Sequence, residues 1–567
     1  MYIATVPNRG SPPAILLRES VREGTRVKTR TLANLSHWPA QKIEALRSLL
    51  RGQTLVRAED VFSITRSQPH GHVEAVLRAA RKLALDSLLS SRPCREGDLV
   101  LAMIAGRILD PASKLASTRL WETSTLAEEL SVEGAEVDEL YEALDWLLSR
   151  KERIEAKLAQ RHLKEGGLAL YDVSSSFYTG RTCPLARMGF DRDGRRGFPL
   201  IVYGLLTNAE GCPVAVDTYA GNTGDPTTVP DQVEKLQGRF GLSRVILVGD
   251  RGMLTQTQID ALKTHPGLGW ISSLRGPAIR QIVESGILQM SLFDEKNLAE
   301  ISSPDYPGER LVACFNPLLA KERHRKREEL LRATESELER IQKEVLRRTK
   351  TPLSKSEIGV KVGRVIGHFK MGKHFDWSIE DGSFRWSRRQ KSIRLEEALD
   401  GIYVIRTSES QERLSAEDAV RNYKRLTEVE HAFRCLKGID LKVRPIHHRL
   451  EDRVRAHIFL CMLAYYLEWH MRKVWAPILF EDEERRDNRL QRDPVAPARP
   501  SASVRRKKTL RETPDGLPVH SFQTLLRHLA TRCRNTCAMK SDQGETTLSQ
   551  ITEASPLQAR ALKLLTM

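Results

Sequence analysis

The stretch "SRVILVGDRGM", Ser243 to Met253, decides the fold. Its centre, Val245-Ile246-Leu247-Val248, is a continuous apolar run of strand length, the pattern of a strand buried on both faces in a parallel or mixed sheet. Asp250 stands at the exit of that strand, with Gly252 two residues on. In open α/β sheets, sites gather at the carboxyl ends of such strands. Asp before Gly is also an ordinary turn pair, so the choice depends on what lies around it.

Working outward, "GLALYDVSSSFY", "FPLIVYGLLTN" and "CPVAVDTYAGN" predict three strands before Ser243. A helix is expected after Asp225-Pro226, with Asp as cap and Pro in the first turn. The helix "TQTQIDALKTHPG" and the strand "LGWISSLRG" follow. The order β-β-β-α-β-α-β predicts an α/β fold, a mixed sheet with flanking helices. Asp172 lies inside the first strand, where a charge bonds the nearby serines or is paired or holds a metal. If the first and fourth strands are neighbours, Asp172 and Asp250 lie side by side, and a divalent cation is the usual remedy for such repulsion.

A third acid is offered by "AEDAVRNYKRLTEVEHAFRCLKG", expected as one amphipathic helix from Ser415 to Lys437 that stops at Gly438. Its apolar stripe is Val420, Tyr423, Leu426, Val429, Phe433 and Leu436. Glu430 borders the stripe, with Arg434 and Lys437 on its own face; it is either a surface Glu paired with Arg434 or a third ligand. Three carboxylates suit Mg²⁺. Two such ions about 4 Å apart clamp the attacking and leaving oxygens of a phosphoryl displacement.

The totals favour a polyanionic partner. Among 567 residues, Lys plus Arg number 90 against 73 Asp plus Glu, a net charge of +17 with a pI near 9.5. The apolar stretch "HIFLCMLAYYLEWH" is too short to span a membrane, no secretion signal is seen at the N-terminus, and the eight scattered cysteines lack a zinc or redox spacing. A cytoplasmic, reduced protein with no membrane association is expected.

Elsewhere, residues 1 to about 70 mix short β-like pieces with basic turns, residues 72 to 160 have helical periodicity, and Asp110-Pro111 separates two helices that could form a helix-turn-helix. In the basic helix that follows residue 317, Leu331, Leu338 and Val345 form a short heptad seam. "KVGRVIGHFK", "HFDWSIEDGSFRWSR" and "LDGIYVIRTS" are strand-like, and Trp377 and Trp386 are expected in a core more than as base-stacking wedges. "GHFKMGKH" resembles the start of a phosphate loop, but His374 stands where Ser or Thr belongs. A second long helix is expected over 449 to 475, then a basic linker and closing helices, Cys533 and Cys537 forming a helical i,i+4 pair.

With these residues assembled, the chain resembles the DDE transposases of bacterial insertion sequences, in the branch with a β-rich insertion before the final Glu and a Tyr-Arg-Glu-Lys signature. "YDVSSSFY" looks like the first-Asp strand, "GNTGD" like the segment after the third strand and "LVGDRGM" like the second-Asp strand. Tyr423, Glu430 and Lys437 fall at the signature's offsets, while Leu426 takes the Arg place and Arg425 lies one position earlier. From Asp172 to Asp250 is 78 residues and from Asp250 to Glu430 is 180, room for the insertion.

The resemblance implies an RNase H-like mixed β-sheet with flanking helices, interrupted by a β-rich and helical insertion. It implies catalytic, metal-binding Asp172, Asp250 and Glu430 holding two Mg²⁺, with Mn²⁺ as substitute. It also implies DNA contacts by Tyr423, Arg425, Arg434, Lys437, Arg444, His448 and Arg449. The reaction would be cleavage at terminal inverted repeats and joining to target DNA, by a homodimer when the ends are paired, on the nucleoid. The expected division is 1–160, a mainly helical DNA-binding region; 165–275 and 401–476, the two parts of the catalytic domain; 276–400, the insertion; and 477–567, a basic linker and helical end. A silent DNA-binding descendant would be expected to lose an acid. A nuclease or junction resolvase would have little use for the insertion.

Overall fold

The computed structural model describes residues 1–53, 62–192, 194, 197–438, 440–497, 499–541 and 544–566. They form two compact units, residues 1–69 with 532–553, and residues 70–531 with 554–567. In the first, Tyr2–Asn8, Ser11–Glu23 and Arg26–Asn34 make an antiparallel meander. Phe62–Pro69 pairs with Cys533–Ser541, which pairs with Gly544–Ile551. The strands within residues 1–34 agree with the β-like pieces expected for residues 1 to about 70. One expectation is corrected here: the helical end is interrupted by a hairpin. Cys533 and Cys537 therefore lie on a strand. That hairpin completes its sheet with a strand more than 460 residues earlier in the chain, a pairing no local pattern reveals.

The second unit is built on an eight-stranded sheet. Its strands are β1 (Leu168–Phe177), β2 (Leu200–Asn208), β3 (Pro213–Ala220), β4 (Val245–Val248), β5 (Leu268–Ser273), β6 (Leu298–Ile301), β7 (Arg310–Phe315) and β8 (Ile402–Thr407). They lie in the order β6-β7-β8-β5-β4-β1-β2-β3. β1 pairs antiparallel with β2 and parallel with β4, which pairs parallel with β5. All four residues of β4 are buried, as its uninterrupted apolar run requires. β6 and β7 belong to the span expected as an insertion, yet they extend this sheet through β8.

Six helices carry the remaining residues of interest: α1 (Arg95–Leu109), α2 (Lys114–Leu120), α3 (Pro317–Arg347), α4 (Ala416–Tyr423), α5 (Leu426–Lys437) and α6 (Glu451–Trp475). The seam Leu331, Leu338, Ile341 and Val345 of α3 is buried against Ile358 and Val362 of the helix Lys355–Phe369 and against Phe375 and Phe384 of a hairpin. "KVGRVIGHFK" is thus helical, not a strand. A Ser354–Glu357 capping box starts it, and its apolar residues recur at helical spacing, which outweighs β-branched propensity. Trp386 packs on this core, whereas Trp377 is 42% exposed.

The single helix expected from Ser415 to Lys437 is two, broken at Lys424 and Arg425. Ser415 caps α4 by accepting from the Asp418 amide at 3.1 Å. α5 crosses β1, burying Val429 and Phe433, with Phe433 5.8 Å from the Tyr203 ring of β2. No described helix is long and apolar enough to cross a membrane.

Candidate active site

Leu170 of β1 pairs with Val248 of β4 in parallel register. Asp172 and Asp250 each lie two residues further, so they stand level at the same end of adjacent strands. Asp172 Oδ1 accepts from the Val173 amide at 2.8 Å. Asp250 Oδ1 accepts from the amides of Gly252 at 2.9 Å and Met253 at 2.7 Å, an Asx-type turn that anchors the carboxylate at the strand exit. Glu430 is exposed on α5, because the buried stripe of that helix runs through Val429 and Phe433 beside it.

All three acids line one pocket of about 940 Å³. Burial pushes the Asp172 carboxyl up to about 7; the Val173 amide opposes the rise, and the charges of Asp250, Glu430 and Asp225 add to it. Among the described residues, no Lys, Arg or His forms an ion pair with any of the three. Nor do the oxygens of the three acids all fall within 4.8 Å of one another, unlike the groups His162–Cys212–His470 and Cys435–Asp440–Glu468.

The pocket is basic around this acidic corner. Arg251, Arg280, Arg323, Lys326, Lys373 and Lys424 line it, several of them from the span between residues 276 and 400. Tyr423 lines it too, its hydroxyl 2.8 Å from Ser273 Oγ at the end of β5. Leu426 also faces the pocket, so the signature's Arg place is apolar here. The other expected DNA contacts lie outside the pocket lining. Arg425 donates to the Ala209 carbonyl at 3.0 Å, the Arg444 guanidinium lies 5.1 Å over the Phe177 ring, Arg434 and Arg449 are exposed, and Lys437 and His448 are half-buried.

A model of the family described as "Transposase DDE domain" matches residues 175–467, just over half of the chain. The chain belongs to the DDE transposases. It is an enzyme that cuts and joins DNA, with the divalent-metal dependence of that family. A second model, "IS1634 family transposase, N-terminal domain", matches residues 3–63. The first match spans Asp250 and Glu430 and begins three residues after Asp172. No curated protein matches this transposase. Among solved structures, it is similar to a piggyBac transposase synaptic complex with hairpin DNA, at 11% identity over 81% of this chain and 76% of that one, with a TM-score of 0.29. It is also similar to a Mos1 transposase paired-end complex with left transposon end, at 14% identity over 31% and 59%, with a TM-score of 0.14. Neither superposition bears on the details of the fold.

One acid was not foreseen. Asp225 is not the cap of its turn; Gly224 holds that position, and the Asp225 carboxylate instead pairs with Arg192. Burial raises its pKa, Arg192 opposes this and Asp250 adds to it. The pairing depends on a close backbone crossing, since a Cβ at Gly189 would sit 2.0 Å from the Gly221 carbonyl oxygen. The signal in the sequence was the glycine-rich "GNTGD" together with Gly189, whose meaning appears only when the two segments meet.

Proposed function

We propose that this transposase binds the terminal inverted repeats of its mobile element, cleaves phosphodiester bonds at the ends and joins them to target DNA. Asp172, Asp250 and Glu430 are its metal-binding acids. The observation that carries this is the set of three carboxylates in one basic pocket with, among the described residues, no ion-pair partner. Like charges so placed fit a cation, and an all-oxygen donor set suits Mg²⁺, with Mn²⁺ as substitute. When bound, two such ions would activate the attacking oxygen and steady the leaving one.

The order β3-β2-β1-β4-β5, with the first three strands antiparallel and β4 and β5 parallel to β1, supports an RNase H-like core. In this reading residues 165–275 and 401–476 form that core, 276–400 grips the DNA end, and 1–160 with 477–567 add DNA contacts. Arg251, Arg280 and Arg323 hold phosphates where Leu426 cannot. Tyr423, fixed by Ser273, packs on the terminal nucleotide, and Arg425, Arg434, Lys437, Arg444, His448 and Arg449 bind backbone beyond the pocket. Pairing two ends calls for two copies of the chain, acting in the cytoplasm on nucleoid DNA.

The test is strand cleavage of a labelled duplex carrying the gene's own flanking sequence. Wild type should cut at the element boundary in Mg²⁺ and not in EDTA, and Glu430→Gln should bind but not cut. Wild type that binds paired ends without cutting them would overturn the proposal.

A further inference from the structure

Two basic residues are buried within the helical region, and among the described residues no acid balances either of them. Lys114, the first residue of α2, is 5% exposed and Arg107, on α1, is 7% exposed. Among the described residues neither has a carboxylate partner. Arg107 Nη1 reaches only the Lys442 carbonyl, at 3.5 Å, and no acceptor among those residues meets the Lys114 ammonium. Burial brings Lys114 down to about 7, with Arg107 adding to the shift. Nearby His448 is pushed down to about 3 by burial and by Lys114, Arg453 and Arg107. Its ring lies 5.2 Å from that of His457, whose Nε2 donates to the Val443 carbonyl at 2.9 Å.

Burying a charge without a partner is costly, so the Lys114 ammonium is weakly held until an anion supplies the missing charge. We infer that Arg107, Lys114 and His448 form a second anion site of this transposase, one that takes a backbone phosphodiester of the bound DNA. The inference rests on the DNA-binding function proposed for the chain and goes beyond the acidic pocket. The loop bearing His448 continues from α5, the helix that carries Glu430. It is also tied to the end of β1, where the Tyr178 hydroxyl donates to the His448 carbonyl at 3.1 Å and the Thr179 amide to that of Ile446 at 3.0 Å. A phosphate held here fixes the duplex against both elements that position the acids. Lys supplies a point charge and Arg a fork of donors, the usual pair for a phosphate.

The experiment uses the full chain in EDTA, so that binding is read without cleavage and its outcome is separate from that of the active-site reading. Affinity for the flanking duplex is measured against salt for wild type and Lys114→Met. Removing one phosphate contact should weaken binding about tenfold near physiological ionic strength and flatten the salt slope by about one. Without DNA, Lys114→Met should melt at or above the wild-type midpoint, because an unpaired buried cation has gone. Unchanged affinity and slope would overturn the DNA assignment, and a variant that melts lower or fails to fold would overturn the site and make Lys114 structural. In wild type alone, inorganic phosphate should raise the midpoint more than chloride at matched ionic strength, and equal shifts would also overturn it. Stabilisation by phosphate with unaltered DNA affinity would assign the pocket to a free anion and overturn the DNA assignment.

Discussion

Asp250→Asn should make the metal-free protein more stable while abolishing its response to metal. Asn keeps the side-chain oxygen that accepts from Gly252 and Met253, so the turn at the end of β4 survives. What disappears is one of three mutually repelling charges. Two unit charges about 6 Å apart repel by about 3 kcal/mol at an effective dielectric constant of about 20. Solvent in the open pocket and partial protonation of Asp172 lower that to about 1 to 2 kcal/mol, a rise of roughly 1 to 4 °C in the melting midpoint. Wild type should gain about 1.4 kcal/mol from Mg²⁺ at ten times its dissociation constant, and the variant close to nothing. Chemical denaturation in EDTA and across a Mg²⁺ titration reads both. A variant less stable than wild type in EDTA, or one that gains equally from Mg²⁺, would refute the idea that these carboxylates wait on a cation.

Further predictions concern buried pairs away from the pocket. Lys235, with no exposed side-chain surface, lies 2.5 Å from Asp217 and 3.5 Å from Glu155, so Lys235→Met should cost about 3 kcal/mol in urea denaturation. Burial alone would raise the Asp217 carboxyl, but Lys235 and Lys151 hold it well below the usual range. Its contribution is therefore complete above the ordinary value of 3.8 and lost as pH falls below that. Glu468 has the opposite sign, being pushed up to about 7 by burial against the pull of Arg472. The folded state holds that proton more tightly, so stability declines as pH rises from 4.5 to about 7. Glu468→Gln should remove this decline, its advantage over wild type growing across that window and staying level above it.

The sheet was legible where the signal was local. The apolar run of β4 and the strand order placed Asp172 beside Asp250, and the stripe Val429–Phe433 pointed Glu430 away from the core. The break at Lys424 and Arg425 was not legible, because the apolar stripe continues through it. Nor was the extension of the sheet by β6, β7 and β8, three short strands that pair across the long α3 excursion. The Arg192–Asp225 pair and the buried Arg107–Lys114 pair arise from packing between distant segments, and charge alone does not separate such residues from those on a solvated face. Arg425 shows the reverse: adjacency to the signature suggested a phosphate contact, yet the turn before α5 aims it at the Ala209 carbonyl.

The most direct test of the central claim is metal rescue of Asp250→Cys in single-turnover cleavage of the flanking duplex. A thiolate is a poor ligand for Mg²⁺ and a better one for softer ions. The variant should bind DNA, fail to cut in Mg²⁺ and regain cutting in Mn²⁺, while wild type cuts in both. Full activity of the variant in Mg²⁺, or no recovery in Mn²⁺ with DNA still bound, would contradict the assignment of Asp250 as a metal ligand at the cleavage site.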